Sequence, residues 1–237
     1  MYQKLKNLYE NTENKDIDTE QRSGNQFQRY IQTLQEELQL ELPGEQAQLK
    51  MAPPHRPTKG SDAESKNAGV LILLYPENSG IYTVLIKRPV YEGVHSGQIS
   101  LPGGKYEYDK DQNIIDTAFR ETHEEVGIHQ NAIHLLGQLT PLFIPVSNIH
   151  VQPVIGYLNY KPSFIPDSRE VDELYKIKIN DLLAPECVTE DEIILADQQK
   201  IIAPYYKLDH IQVWGATAMI LSEFFEIHQK ICINPVR

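Results

Sequence analysis

The sequence predicts an α/β fold, a sandwich built on a mixed β-sheet and preceded by an N-terminal helical extension. Short apolar runs of strand length, bounded by turn residues, recur between residues 69 and 206. Two helical patterns, near 114–126 and 216–230, fall among and after them, which is not the regular alternation of a doubly wound parallel sheet. The 237 residues, 41% hydrophobic and 23% charged, suffice for one ordinary domain with an extension and a full core.

Residues 1–25 are rich in Asn, Asp, Glu and Lys and contribute little to a core. Phe27, Tyr30, Ile31, Leu34 and Leu38 then recur at helical spacing, and Leu42-Pro43-Gly44 ends that helix, a candidate packing or homodimer element. The Pro- and Ser-containing stretch around residues 53–65 reads as a linker. It divides an extension (1–60) from the main domain (61–237). Gly69–Tyr75 and Ile81–Lys87 are expected strands joined by the turn Glu77-Asn78-Ser79-Gly80. The loop Leu101-Pro102-Gly103-Gly104 leads to a helix over Ile114–Val126, closed by Gly127. Strands are expected at Ile133–Leu142, Val151–Leu158, Glu173–Ile177 and Ile201–Tyr206, then a helix over Ala216–Lys230 with Trp214 packing at its start.

The polar N-terminus does not read as a signal peptide, and the strongest apolar run, Val70–Tyr75, is far short of the ~20 residues that span a bilayer. Cys187 and Cys232 make neither a disulfide framework nor a thiolate metal site, so a cytoplasmic protein is expected. A net charge of −11 argues against general nucleic-acid affinity. An anionic substrate would need a counter-charge at an acidic site.

The chemistry concentrates in Arg120-Glu121-Thr122-His123-Glu124-Glu125-Val126-Gly127-Ile128. At about 100° per residue, Glu121, Glu124 and Glu125 fall within roughly 100° of arc. Ile115, Phe119, Thr122 and Val126 make a neighbouring stripe that can be buried. Three adjacent carboxylates repel one another, and a hard divalent cation with oxygen ligands removes that conflict. A solvated acidic face is the ordinary meaning of one Glu-Glu pair. Arg, three Glu and Gly at these offsets, however, should arise by accident in only about one of several thousand chains of this length.

Gly103-Gly104-Lys105, followed by Arg120-Glu121-x-x-Glu124-Glu125-x-Gly127-Ile128, resembles the Nudix box of the Nudix hydrolase superfamily, G-x5-E-x7-R-E-U-x-E-E-x-G-U with U aliphatic. Thr122 stands at an aliphatic position, and the loop after Gly104 is longer than the pattern, leaving Glu107, Asp109 or Asp111 for the early Glu. The resemblance implies a Nudix α/β/α sandwich and a Mg²⁺- or Mn²⁺-dependent pyrophosphohydrolase. It implies that Glu124, Glu125 and the Gly103 carbonyl bind metal. Glu121 would be a ligand or would position the attacking water, and Arg120 would hold the glutamates by ion pairing.

Upstream, Val84-Leu85-Ile86-Lys87-Arg88 and Gly97-Gln98-Ile99-Ser100-Leu101-Pro102-Gly103-Gly104 resemble the signature of the coenzyme A pyrophosphatases within that superfamily. The substrate implied is coenzyme A or an acyl ester, with Arg88, Lys87, His95 and Lys105 as candidate substrate-binding residues. Pro89 and Gly93 depart from the signature, Gly93 standing where it has a second Arg. Other substrates therefore stay open: ADP-ribose, a dinucleotide or a nucleoside triphosphate. A non-catalytic ligand-sensing module is the rival of another class; intact glutamates and the absence of a basic recognition helix in residues 1–60 argue against it. Glu170, Asp172 and Glu173, just before an expected strand, are candidates for a further ligand or base.

Overall fold

The computed structural model describes residues 24–54, 56, 64–91, 95–194 and 200–233. The expected features at residues 1–23, Gly60 and Gly93 lie outside them.

Strand β1 (Lys66–Glu77) is the axis of the molecule. Its side chains alternate between two cores, as the period of two requires. Leu71, Leu73 and Tyr75 join one cluster, with Ala118 and Val126 of helix α3 (Ile114–Val126). Ile72 and Leu74 join the other, with Leu34 of α1 (24–37) and Leu221 and Phe224 of α5 (Gly215–Ile233). Two helical layers thus cover the two faces of one sheet, the expected α/β/α sandwich.

The sheet is mixed. β1 runs parallel to β7 (Ile149–Tyr157) and antiparallel to β2 (Gly80–Lys87) and to the short β4 (Gly103–Lys105). β2 also pairs with β3 (Ile99–Ser100) and β8 (Glu173–Lys178), and β7 with β5 (His134–Gln138) and β6 (Leu142–Ile144). Asn78 and Ser79 both adopt positive φ in the β1–β2 turn, the tight hairpin expected of that tetrapeptide. A second sheet joins β9 (Val188–Ile194), β10 (Lys200–Leu208) and β11 (Ile211–Trp214). Two further helices are short, α2 (Gly44–Leu49) and α4 (Ile179–Leu182).

Some expectations need correction. The strand expected over Ile133–Leu142 is two strands. Between them the Leu139 amide donates to the Pro153 carbonyl, the Thr140 amide turns to Glu223, and Pro141 has no N–H to give. Trp214, the last residue of β11, packs just before the final helix, as expected. The apolar stripe of α1 is covered within the chain, so the helix is a packing element. Among the described residues no helix is long and apolar enough to cross a membrane.

Candidate active site

Helix α3 is fixed at both ends by its own sequence. The Asn113 side chain accepts from the amides of Ile115 and Asp116, and Gly127 closes the helix at φ 75°. Thr122, at an aliphatic position of the box, is buried, but its hydroxyl donates a hydrogen bond to the Ala118 carbonyl at 2.7 Å. No orphaned polar group results.

The two glycines let the β4 turn press against this helix. Gly103 has φ 148°, and a Cβ there would lie 2.3 Å from the Gly69 carbonyl oxygen. A Cβ on Gly104 would lie 2.3 Å from the Glu121 carboxyl carbon. Glu121 therefore sits directly under the turn. Glu125 is buried, and its Oε2 accepts from the Gly103 amide at 2.8 Å.

Arg120 is the strut. Its Nε and Nη2 donate to the two Asp111 oxygens at 2.7 and 2.9 Å, and its Nη1 donates to Glu121 and Glu124, both at 2.9 Å. Asp111 also accepts from the Thr117 hydroxyl and the Glu107 amide. The Arg120 guanidinium leads the forces that hold the Asp111 carboxyl at about 2. Of the three acids left open for the early Glu, Asp111 is the one clamped on the arginine; Glu107 lies 3.5 Å from Nη1.

A third element brings a further carboxylate to the site. The loop before β8 caps the end of α3, the Ile165 and Asp167 amides donating to the carbonyls of Val126 and Glu125 at 3.0 Å. That docking brings Glu170 to Glu121 and Glu125, with ligand oxygens of all three within 4.8 Å of one another. Glu124 is the exception to the expected set. It is exposed, and its carboxylate faces Arg120, its partner one turn earlier. The Gly103 carbonyl accepts from Arg88 Nη2 at 3.3 Å.

The donor set fits a hard divalent cation: it is all oxygen, and two members are uncomfortable as bare anions. Burial pushes the Glu125 carboxyl up to about 8, against the pull of Arg88 and the Gly103 amide. Burial also raises Glu121, opposed by Arg120. A cation would relieve both.

The cluster opens into a cavity of about 1790 Å³. Arg88, Lys105 and His95 line it. Burial, together with Arg88 and Lys105, lowers the His95 pKa despite its bond to Gln98, leaving the ring neutral at pH 7. Lys87 must be corrected: it is absent from this wall, its Nζ lying 2.7 Å from Asp172 and 2.9 Å from Glu173. It clasps β2 to the start of β8 and so steadies the loop that carries Glu170. The same cavity is also lined by the apolar side chains Ile144, Val151, Trp214, Met219 and Ile220. Arg56, which also lines the cavity, has no local sequence signal; tertiary packing alone brings it here.

The NUDIX domain profile matches residues 65–197. The chain belongs to the Nudix family. It is similar to the uncharacterized Nudix hydrolase NudL of Yersinia pestis (strain Pestoides F), 33% identical over 162 residues covering 67% of this chain and 78% of that protein. The NudL of Yersinia pseudotuberculosis serotype O:1b matches to the same extent. Solved Nudix structures also align, among them RenU of M. smegmatis (13% identity, TM-score 0.47, 79% of this chain and 96% of that one). Another is the MutT/nudix protein of Enterococcus faecalis (14%, TM-score 0.46, 76% and 66%). Nudix hydrolases are pyrophosphohydrolases and generally need divalent cations, typically Mg²⁺ or Mn²⁺.

Proposed function

We propose that this Nudix hydrolase cleaves the diphosphate linkage of coenzyme A or its acyl esters in the cytoplasm, releasing 3′-phosphoadenosine 5′-phosphate and a 4′-phosphopantetheine species. The observation that carries the reading is the lining of one cavity, which holds Glu121, Glu125 and Glu170, the cations Arg88 and Lys105, and apolar side chains including Trp214 and Met219. A substrate with a charged diphosphate and a long, weakly polar arm matches that combination. The signature around Arg88 and Gly97 points the same way.

Glu121, Glu125 and Glu170 are the residues that would hold Mg²⁺ or Mn²⁺, with Glu124 and the Gly103 carbonyl beside them. Bound there, the cation supplies Lewis-acid charge for the phosphoryl oxygens and lowers the pKa of a water. Arg120 orients Glu121, which ligates the cation or aligns the attacking water. Arg88 and Lys105 take up charge on the diphosphate, and water attacks phosphorus in line with the leaving phosphate.

Incubation with coenzyme A and Mn²⁺, with products identified by mass, tests this; Glu125→Gln should lose turnover by orders of magnitude while remaining folded. Gly93, in place of the signature's second Arg, favours a second reading in which another nucleoside diphosphate derivative is the substrate. Inert coenzyme A beside turnover of ADP-ribose, a dinucleotide or a nucleoside triphosphate would select it.

A further inference from the structure

The cavity has a second cationic corner that the box does not explain. It lies where β6, the turn before β7 and the start of β1 meet. Phe143 pairs with His150, Ile144 with Ile149, and Ile149 in turn with Lys66. The Lys66 amide donates to the Asn148 carbonyl at 3.1 Å, fixing Lys66 against the turn. Arg56 arrives from the segment after α2, and its guanidinium Nη2 donates to the Phe143 carbonyl. Arg56 and Lys66 both line the cavity, and neither forms an ion pair among the described residues. Ser147, in the same turn and on the same wall, has a buried hydroxyl with no hydrogen-bond partner among the described residues. Burial draws the Arg56 pKa down, with Glu45 opposing.

A half-buried guanidinium whose hydrogen bond, among the described residues, goes to a carbonyl forms, together with a lysine and an orphaned hydroxyl, the makings of an anion site. Lys66 stands three residues before Gly69, which pairs with Gly104 above Glu121, so this corner lies about 10 Å along β1 from the carboxylates. We propose that Arg56, Lys66 and Ser147 form a second anion subsite, which takes a phosphate monoester of the substrate distinct from the scissile diphosphate. On the coenzyme A reading, on which this rests, that group is the ribose 3′-phosphate. Arg56 stands outside the stretch matched by the family profile.

The test compares coenzyme A with dephospho-coenzyme A in wild type, Arg56→Ala and Lys66→Ala. Wild type should favour coenzyme A in kcat/KM, and Arg56→Ala should lose about tenfold or more of that preference, as befits one charge-assisted contact. A wild type that does not discriminate, or an Arg56→Ala variant that keeps the full preference, overturns the subsite. If neither compound is turned over, the substrate reading fails and the subsite is judged separately. Trp214 is the single tryptophan of the chain and lines the cavity, so its fluorescence follows binding of adenosine 3′,5′-bisphosphate and of AMP without metal. Tighter binding of the bisphosphate, lost in Arg56→Ala, upholds the subsite; equal binding of the two nucleotides in wild type overturns it.

Discussion

Replacing Asp111 with Asn tests the strut beneath the catalytic helix. The Asp111 side chain is 1% exposed and takes two bonds from Arg120, one from Thr117 and one from the Glu107 amide. Its carboxyl is held at about 2, well below the usual carboxylate range, so ionisation should contribute about 2–3 kcal/mol to folding at pH 7. Removing one partner of a buried pair costs about 3–5 kcal/mol. Arg120 keeps Glu121 and Glu124, so the lower figure is the better guide. Urea unfolding at pH 7 should therefore place Asp111→Asn about 2–3 kcal/mol below wild type. The sign of the pH dependence follows from a depressed acid: the contribution is complete above about pH 4 and vanishes as pH falls through 2, so the gap should narrow by about half at pH 3. A variant within about 0.5 kcal/mol of wild type at pH 7, or a gap unchanged at pH 3, refutes the reasoning.

Glu125 titrates in the opposite sense. With its carboxyl raised to about 8, the metal-free fold holds a proton that the unfolded chain releases above about 4.5, so this group's contribution to stability fades as pH rises between those values. Melting in chelator at pH 6 and pH 8.5 should show that loss, and Glu125→Gln should flatten it. Glu170→Gln should lower Mn²⁺ affinity by at least about tenfold, since even outer-shell partners of a metal cost 10–100-fold; calorimetric titration measures it. Gly104→Ala should displace Glu121 and depress kcat with circular dichroism unchanged, because its Cβ would meet a side chain. Gly103→Ala should instead destabilise the fold by about 2 kcal/mol or more, because its Cβ would meet backbone at a strained φ.

Local signals made much of this legible in the sequence. Helix α3 runs over the expected Ile114–Val126 because Gly127 and the apolar stripe mark it unambiguously. The β1–β2 hairpin follows from its turn residues, and β1 could be read from its apolar run. Strand β9 was not legible: Val188–Ile194 carries three acids in seven residues and becomes a strand through pairing with β10. At the site, helical geometry grouped Glu121, Glu124 and Glu125 but could not say which carboxylates turn inward. That depends on Arg120 and on the Gly103 amide. Glu170 could be named only as one of three acids around the start of β8, because the docking of its loop on the end of α3 is a long-range event. Lys87 looked like a phosphate ligand because its acidic partners, Asp172 and Glu173, lie some 85 positions away.

Binding of Mn²⁺ to the substrate-free protein, followed by loss of the free-ion electron paramagnetic resonance signal, probes the central claim most directly. Wild type should bind the ion at pH 8 and release protons as it does so, whereas a Glu121→Gln, Glu125→Gln double variant should not bind. Equal uptake by the two proteins, or none by wild type with substrate absent or present, would contradict the assignment of these carboxylates as the metal centre.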